Sequence, residues 1–162
     1  MILRRDCINI DSGMNTNSNI SILVSACLLG ENCRFDGKSK TSSRLVSLLK
    51  DAEVLKVCPE VEGGLPIPRP PAEILGTRIV RESGEDVTDK FVAGSQKCVE
   101  LAMKRGIKLA ILKSRSPACG CGSIYDGSFS GTLTKGDGNF TSNLKSVGIA
   151  CVSDEEYLNN NR

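Results

Sequence analysis

Three observations predict an α/β fold, a single domain built on a mainly parallel sheet with helices on its faces. Short apolar runs recur at residues 20–26, 53–57, 108–112 and 149–153. Compact Ile/Leu/Val runs of this kind, bounded by turn residues, suit buried strands. Stretches of helical period lie between them, and strands alternating with helices favour a parallel sheet covered on its faces. Cys27, Cys58 and Cys119 each follow one of the first three runs. In a parallel sheet they would meet at one edge, in the crevice beyond the strand carboxyl ends where open α/β sheets bind ligands.

The elements follow in order. Residues 1–19 are polar and aperiodic, carry a second methionine at Met14, and read as a disordered leader. Ile20 to Ala26 reads as the first strand, with Cys27 at its end. Thr41 to Lys50 reads as a short helix, with Ser42 or Ser43 as N-cap and Leu45, Val46, Leu48 and Leu49 as its apolar residues. Glu53 to Val57 is the second strand, and it should stop at Cys58-Pro59 because proline has no amide hydrogen for the ladder. Residues 63–71, with their glycines and prolines, cannot be regular and form a long loop. Long ordered loops tend to be functional. Glu85 to Arg105 is the longest helical pattern, with Phe91, Cys98, Val99 and Ala102 on one face and Gly106 as its stop. A third strand at Lys108 to Leu112 leads into a second Gly/Ser-rich stretch, Lys113 to Gly138. A helix near Asn139 to Val147 and a strand from Ile149 to Ser153 complete a Rossmann-like three-layer domain over residues 20–153, with 154–162 as a polar tail.

Composition narrows the chemistry. A chain of 162 residues, 40% hydrophobic and 25% charged, can bury one core. Its net charge of +2 is too small to mark a dedicated nucleic-acid binder. Eight cysteines are accompanied by no histidine, which excludes mixed Cys/His zinc sites and Cys–His nucleophile pairs. Thiolate-only metal binding or thiol chemistry is left. Val24-Ser25-Ala26-Cys27 has the form of a lipoprotein cleavage box, but the apolar run is short, Arg4 and Arg5 are distant, and Leu28-Leu29 continue past the cysteine. With no stretch approaching a membrane span, the expected location is the cytoplasm, where reduced thiols favour metal or catalytic use.

Soft sulfur ligands without imidazole point to an iron–sulfur site at Cys27, Cys58 and Cys119. Three ligands would leave one iron of a four-iron cluster open, as a Lewis acid with affinity for sulfur. Cys33 and Cys121 are spare ligands for a four-thiolate site or resolving thiols, whereas Cys98 and Cys151 read as core and Cys7 as part of the leader. Ser116 could pass a proton to a group held at the site, or simply satisfy a turn. Glu60, two residues past Cys58, is the nearest carboxylate to a strand end. Arg34, Arg69 and Arg115 would bring positive charge to the same edge. Gly136-Asp137-Gly138 before the last helix has the form of a phosphate-cradling turn.

Three motifs carry a resemblance that runs from about Ile20 to Ser153. They are Ser25-Ala26-Cys27-Leu28-Leu29-Gly30 with Cys33-Arg34-Phe35-Asp36-Gly37, Cys58-Pro59-Glu60-Val61-Glu62-Gly63-Gly64-Leu65 with Pro68-Arg69-Pro70-Pro71-Ala72-Glu73-Ile74, and Lys113-Ser114-Arg115-Ser116-Pro117-Ala118-Cys119-Gly120 followed by Ile124-Tyr125-Asp126-Gly127. In these the chain resembles the thiouracil desulfidase family. The resemblance implies a [4Fe-4S] cluster on Cys27, Cys58 and Cys119, with the fourth iron open to sulfur from a thiolated pyrimidine and water converting C=S to C=O without redox change. It implies that Ser116 and a glutamate assist, the glutamate being Glu60, with Glu53 and Glu62 as competitors. Arg34, Asp36, Arg69 and Ser114, within the same motifs, are expected to bind substrate, which would be a small thiolated base or nucleoside or a modified tRNA. Cys121 departs from the family pattern, and as a fourth ligand it would close the open iron. Two other readings compete: a non-catalytic thiolate metal module, and a thiol redox protein using Cys27 with Cys33 or Cys119 with Cys121.

Overall fold

The structure is a computed structural model, and it describes residues 20–162. The expected leader over 1–19, with Met14 and Cys7, lies outside the described residues.

The expected parallel sheet is present. Strands β1 (Ser21–Ser25), β2 (Glu53–Val57), β5 (Leu109–Leu112) and β8 (Ala150–Ser153) lie in the order β2-β1-β5-β8, every pair parallel. The chain leaves β1 in one direction to form β2 and crosses back over it to form β5. The order therefore reverses between β1 and β5, which makes the crevice above those two strands the ligand position of an open α/β sheet.

Alternating side chains divide the core into two layers, as the period of a strand requires. Leu23 and Ala110 face a core shared with α3 (Thr88–Lys104) and α4 (Asn139–Ser146), where Phe91, Val99, Phe140 and Leu144 are buried. Ile22, Val24 and Ile111 face the opposite core, which includes Leu45 of α1 (Ser43–Leu48) and Tyr157 and Leu158 of α5 (Asp154–Asn160). Helices thus cover both faces, and the three-layer expectation holds. Ser42 caps α1, its hydroxyl accepting from the Leu45 amide at 3.2 Å. Helix α3 ends where Gly106 turns at φ +63°, a conformation that costs glycine little.

Three features depart from the expectation. The Pro-rich loop leads directly into a hairpin, β3 (Ala72–Leu75) and β4 (Arg78–Arg81), and the Gly/Ser-rich stretch folds into a second, β6 (Ser123–Tyr125) and β7 (Leu133–Lys135). Strands of three or four residues are too short for periodicity to reveal, and all of β7 is exposed. Residues 154–162 are not a loose tail, because α5 starts there. Ser153 caps it by accepting from the Glu156 amide at 3.1 Å, Asp154, Glu155 and Glu156 suit the positive end of the helix, and Tyr157 and Leu158 pack on the sheet.

Candidate active site

Each of the three strand-end cysteines is placed by a local break in regular structure. Beyond β1 a single 3-10 turn, Ala26–Leu29, holds Cys27 and closes at Gly30, whose φ of +97° only glycine adopts cheaply. Cys58 is the N-cap residue of α2 (Pro59–Glu62), a one-turn helix that Pro59 starts. Cys119 sits in the turn after β5, where its amide donates to the Ser116 hydroxyl at 3.0 Å. All three line one cavity of about 590 Å³ above β1 and β5, within the range of small-molecule sites.

Cys33 joins them in the wall of that cavity. Its thiol lies near those of Cys27 and Cys58, and its carbonyl oxygen accepts from the Cys58 thiol at 3.7 Å. The contact with Cys27 is the main cause that pushes the Cys33 thiol up to about 11. The Cys58 thiol is raised further, first by its contact with Cys33 and then by burial, and burial holds Cys119 well above the ordinary thiol value. In the metal-free protein the raised thiols of Cys33, Cys58 and Cys119 favour their protonated forms, and a metal centre would have to displace those protons. An all-sulfur donor set with no histidine in the chain, lining one open cavity, fits an iron–sulfur centre in its chemistry.

Cys121 is placed elsewhere. It is outside the cavity lining, and its neighbours are Lys145, Asp137 and Cys151. The turn at Gly120 explains the separation: a side chain there would collide with the Ser116 carbonyl at 2.6 Å, so the chain folds tightly back and Cys121 points away from Cys119's cavity. Cys98 is buried in α3 and pushed up to about 12 by burial, the behaviour of a core thiol.

Ser116 both satisfies a turn and faces the site. Its oxygen accepts from the Ala118 and Cys119 amides at 3.1 and 3.0 Å, and among the described residues no acceptor takes its own proton. Glu60 occupies the first turn of α2 and lines the cavity, whereas Glu53, paired with Arg105 at the opposite end of β2, and Glu62 do not line it. Burial raises the Glu60 carboxyl, opposed by Arg69, whose Nε stands 3.3 Å from Oε1. Arg69 is itself buried; it donates to the Cys33 carbonyl at 2.9 Å and to the Pro66 carbonyl at 3.2 Å. One guanidinium therefore ties the Cys33 loop to the helix that carries Cys58 and Glu60.

Of the remaining expected residues, Arg34 and Ser114 line the cavity and Asp36 does not. Asp36 closes its own turn, accepting from the Lys38 amide at 3.0 Å, and pairs with Arg34 at 3.6 Å. Arg115 lines the cavity and pairs with Glu155 at 3.0 Å. The Gly136-Asp137-Gly138 turn does not serve as an anion cradle: the amides of Gly138, Asn139 and Phe140 donate to the carbonyls of Gly120, Pro117 and Ala118. Several lining residues carried little signal in the sequence. Ser25 ends β1, accepts from the Lys113 amide at 2.9 Å and lines the cavity with Cys119, and only strand pairing brings it there. Glu73, Tyr125 and Phe129 come from the two hairpins.

The fold and the cavity together define an α/β domain with thiols, a half-buried acid and a serine gathered at the switch point of its sheet. The chain belongs to the 2-thiouracil desulfurase family, an enzyme family whose model matches residues 22–156. Uncharacterized protein YbbK of Bacillus subtilis (strain 168) is 39% identical over 145 residues, covering 83% of this chain and 96% of that protein. Among solved structures, the [4Fe-4S]-dependent thiouracil desulfidase TudS superposes with a TM-score of 0.79 at 45% identity, covering 87% of this chain and 97% of that one. Among the described residues no helix is long and apolar enough to cross a membrane.

Proposed function

We propose that this protein removes sulfur from a thiolated pyrimidine of the thiouracil type, the ring thiocarbonyl and water giving a carbonyl and hydrogen sulfide, with a [4Fe-4S] cluster held by Cys27, Cys58 and Cys119. The observation that carries the reading is the convergence of those thiols with Ser116 and Glu60 on one cavity. When bound, a cluster with three thiolate ligands supplies an iron that attracts sulfur and polarises the C=S bond.

The chain's own residues account for positioning and protons. Arg69 holds the Glu60 carboxyl at the cavity wall, and burial keeps its proton affinity above that of an exposed carboxylate, so it suits general acid–base exchange with the attacking water and the departing sulfur. Ser116, whose oxygen is pinned by two amides, has its hydroxyl proton free to hydrogen-bond to the substrate. Arg34 and Ser114 are positioned to hold the polar edge of the ring, and Asp36 acts through Arg34. Seven free thiols among the described residues suit a reducing compartment, and we place the protein in the cytoplasm.

Anaerobic reconstitution with iron and sulfide, followed by assay of uracil and sulfide released from 2-thiouracil, tests the reading. Cluster absorbance with about four irons per chain is expected, lost in Cys58→Ser and kept in Cys121→Ser. A protein without cluster absorbance, or with the same iron content in Cys58→Ser, refutes it. The same assay on a thiolated nucleoside and on thiolated tRNA defines the size of the accepted substrate.

A further inference from the structure

The loop joining β6 to β7 forms part of the cavity wall, through Phe129 and Gly131. It is internally closed. The Asp126 amide donates to the Thr132 carbonyl at 3.0 Å, and the hydroxyls of Ser128, Ser130 and Thr132 form a chain at 2.6 and 2.7 Å that ends on the Asp126 carboxylate. A loop tied to itself in this way moves as a unit, so its placement depends on what fastens it to the rest of the domain.

That fastening is Glu73. Its residue is 8% exposed, and its Oε1 accepts from the Gly127 amide at 3.1 Å and from the Phe129 amide at 3.2 Å. Gly127, at φ +89°, lies so close to β3 that a Cβ would stand 2.7 Å from the Ile74 carbonyl, which seats the loop on that strand. Phe129 is held at φ +55°, a left-handed conformation uncommon for a bulky residue that persists only where its surroundings impose it. Here the Glu73 carboxylate accepts from the Phe129 amide, and Phe129 lines the cavity.

We propose that Glu73 is a positioning residue that holds Phe129 as the stacking face for a flat heteroaromatic ring in the cavity. The proposal rests on the substrate class assigned above, since a planar base presents a π-face that an aromatic wall binds whatever its hydrogen-bonding edge. In this role the carboxylate, which also lines the cavity, acts through the loop.

Hydrogen exchange of the reconstituted protein over residues 125–131, together with steady-state kinetics on 2-thiouracil, tests it. Glu73→Ala is expected to lose protection over that segment, and Glu73→Gln, which keeps an oxygen acceptor, to retain it. Phe129→Leu, which stays apolar but has no flat face, should raise KM about tenfold with kcat changed less than about threefold. Glu73→Ala should raise KM by a similar factor, and the double variant no further, because both remove one contact. Unchanged protection in Glu73→Ala, unchanged KM in Phe129→Leu, or additive effects in the double variant would overturn the proposal. Failure of the wild-type protein to convert 2-thiouracil would instead overturn the proposed function, and the exchange data would still decide whether Glu73 fastens the loop.

Discussion

Gly94 lies in α3 where that helix crosses α2, outside the lining of the cavity. A Cβ there would stand 1.8 Å from the Pro59 carbonyl oxygen and 2.7 Å from the Gly63 amide nitrogen, whereas real Cβ contacts below 3.0 Å are essentially never seen. In Gly94→Ala the two helices must separate by about 1.2 Å, and both obstructing groups are backbone, so no side chain can yield in their place. Overpacking of this kind costs about 1–3 kcal/mol, against which alanine regains up to about 1 kcal/mol of helix propensity. A net loss of about 1–2 kcal/mol, or about 2–8 °C in Tm, is expected for the metal-free protein. The larger effect falls on the site. Helix α2 carries Cys58 at its cap and Glu60 in its first turn, so a shift of about 1 Å moves both relative to Cys27 and Cys119 and should cost about a hundredfold in rate. Gly148→Ala is the control: at φ +84° with nothing near its Cβ, it should lose about 1 kcal/mol of stability and no activity. Thermal melts, iron per chain and kcat/KM on the three proteins make the comparison. A Gly94→Ala protein with wild-type iron content and rate would refute the account of how the site is assembled.

Other substitutions probe the site directly. Ser116→Ala leaves the Ala118 and Cys119 amides without their acceptor and should cost about 1–2 kcal/mol in urea unfolding, with a loss of rate of roughly 10²–10⁴-fold if the hydroxyl handles a proton. Arg69→Met removes the partner of half-buried Glu60 and the donor to the Cys33 carbonyl; about 2–4 kcal/mol of stability should be lost, while an Arg34→Met variant, from a more exposed pair, should lose less than about 1 kcal/mol. Burial raises the Glu60 carboxyl above its ordinary 4.5, so the folded protein retains a proton that the unfolded chain has already released. Stability of the metal-free protein should therefore fall as pH rises from about 4.5 through the raised value, and Glu60→Gln should flatten that slope in Tm measured against pH.

The architecture is legible because burial on both faces writes itself into short continuous apolar runs. The run at 53–57 predicts a strand and forms one, and the helix expected over 85–105 forms over Thr88–Lys104, starting late because Asp86 and the β4 backbone engage Thr88. The two hairpins are not legible. Their strands are too short for a period, and each is defined by antiparallel pairing with its neighbour rather than by a pattern within one run. Helix α5 reads as a tail because its stretch is dominated by polar residues, with only Tyr157 and Leu158 to face the sheet.

By itself the sequence determined the kind of chemistry: eight cysteines without a histidine leave sulfur ligands alone, and cysteines that follow successive buried strands must converge at one sheet edge. Composition and pattern are local properties, and those conclusions need nothing more. Which thiols share the cavity was decided only in three dimensions. Cys121, two residues from Cys119, is turned away by the tight fold at Gly120, while Cys33, distant from Cys58 in sequence, lies against its thiol. The same holds for the glutamates: Glu60 and Glu62 differ in the sequence only by position, and the single turn of α2, fastened by Arg69, presents Glu60 to the cavity. Distances across a sheet and directions around a helix arise from packing, and packing exists only once the chain has closed on itself.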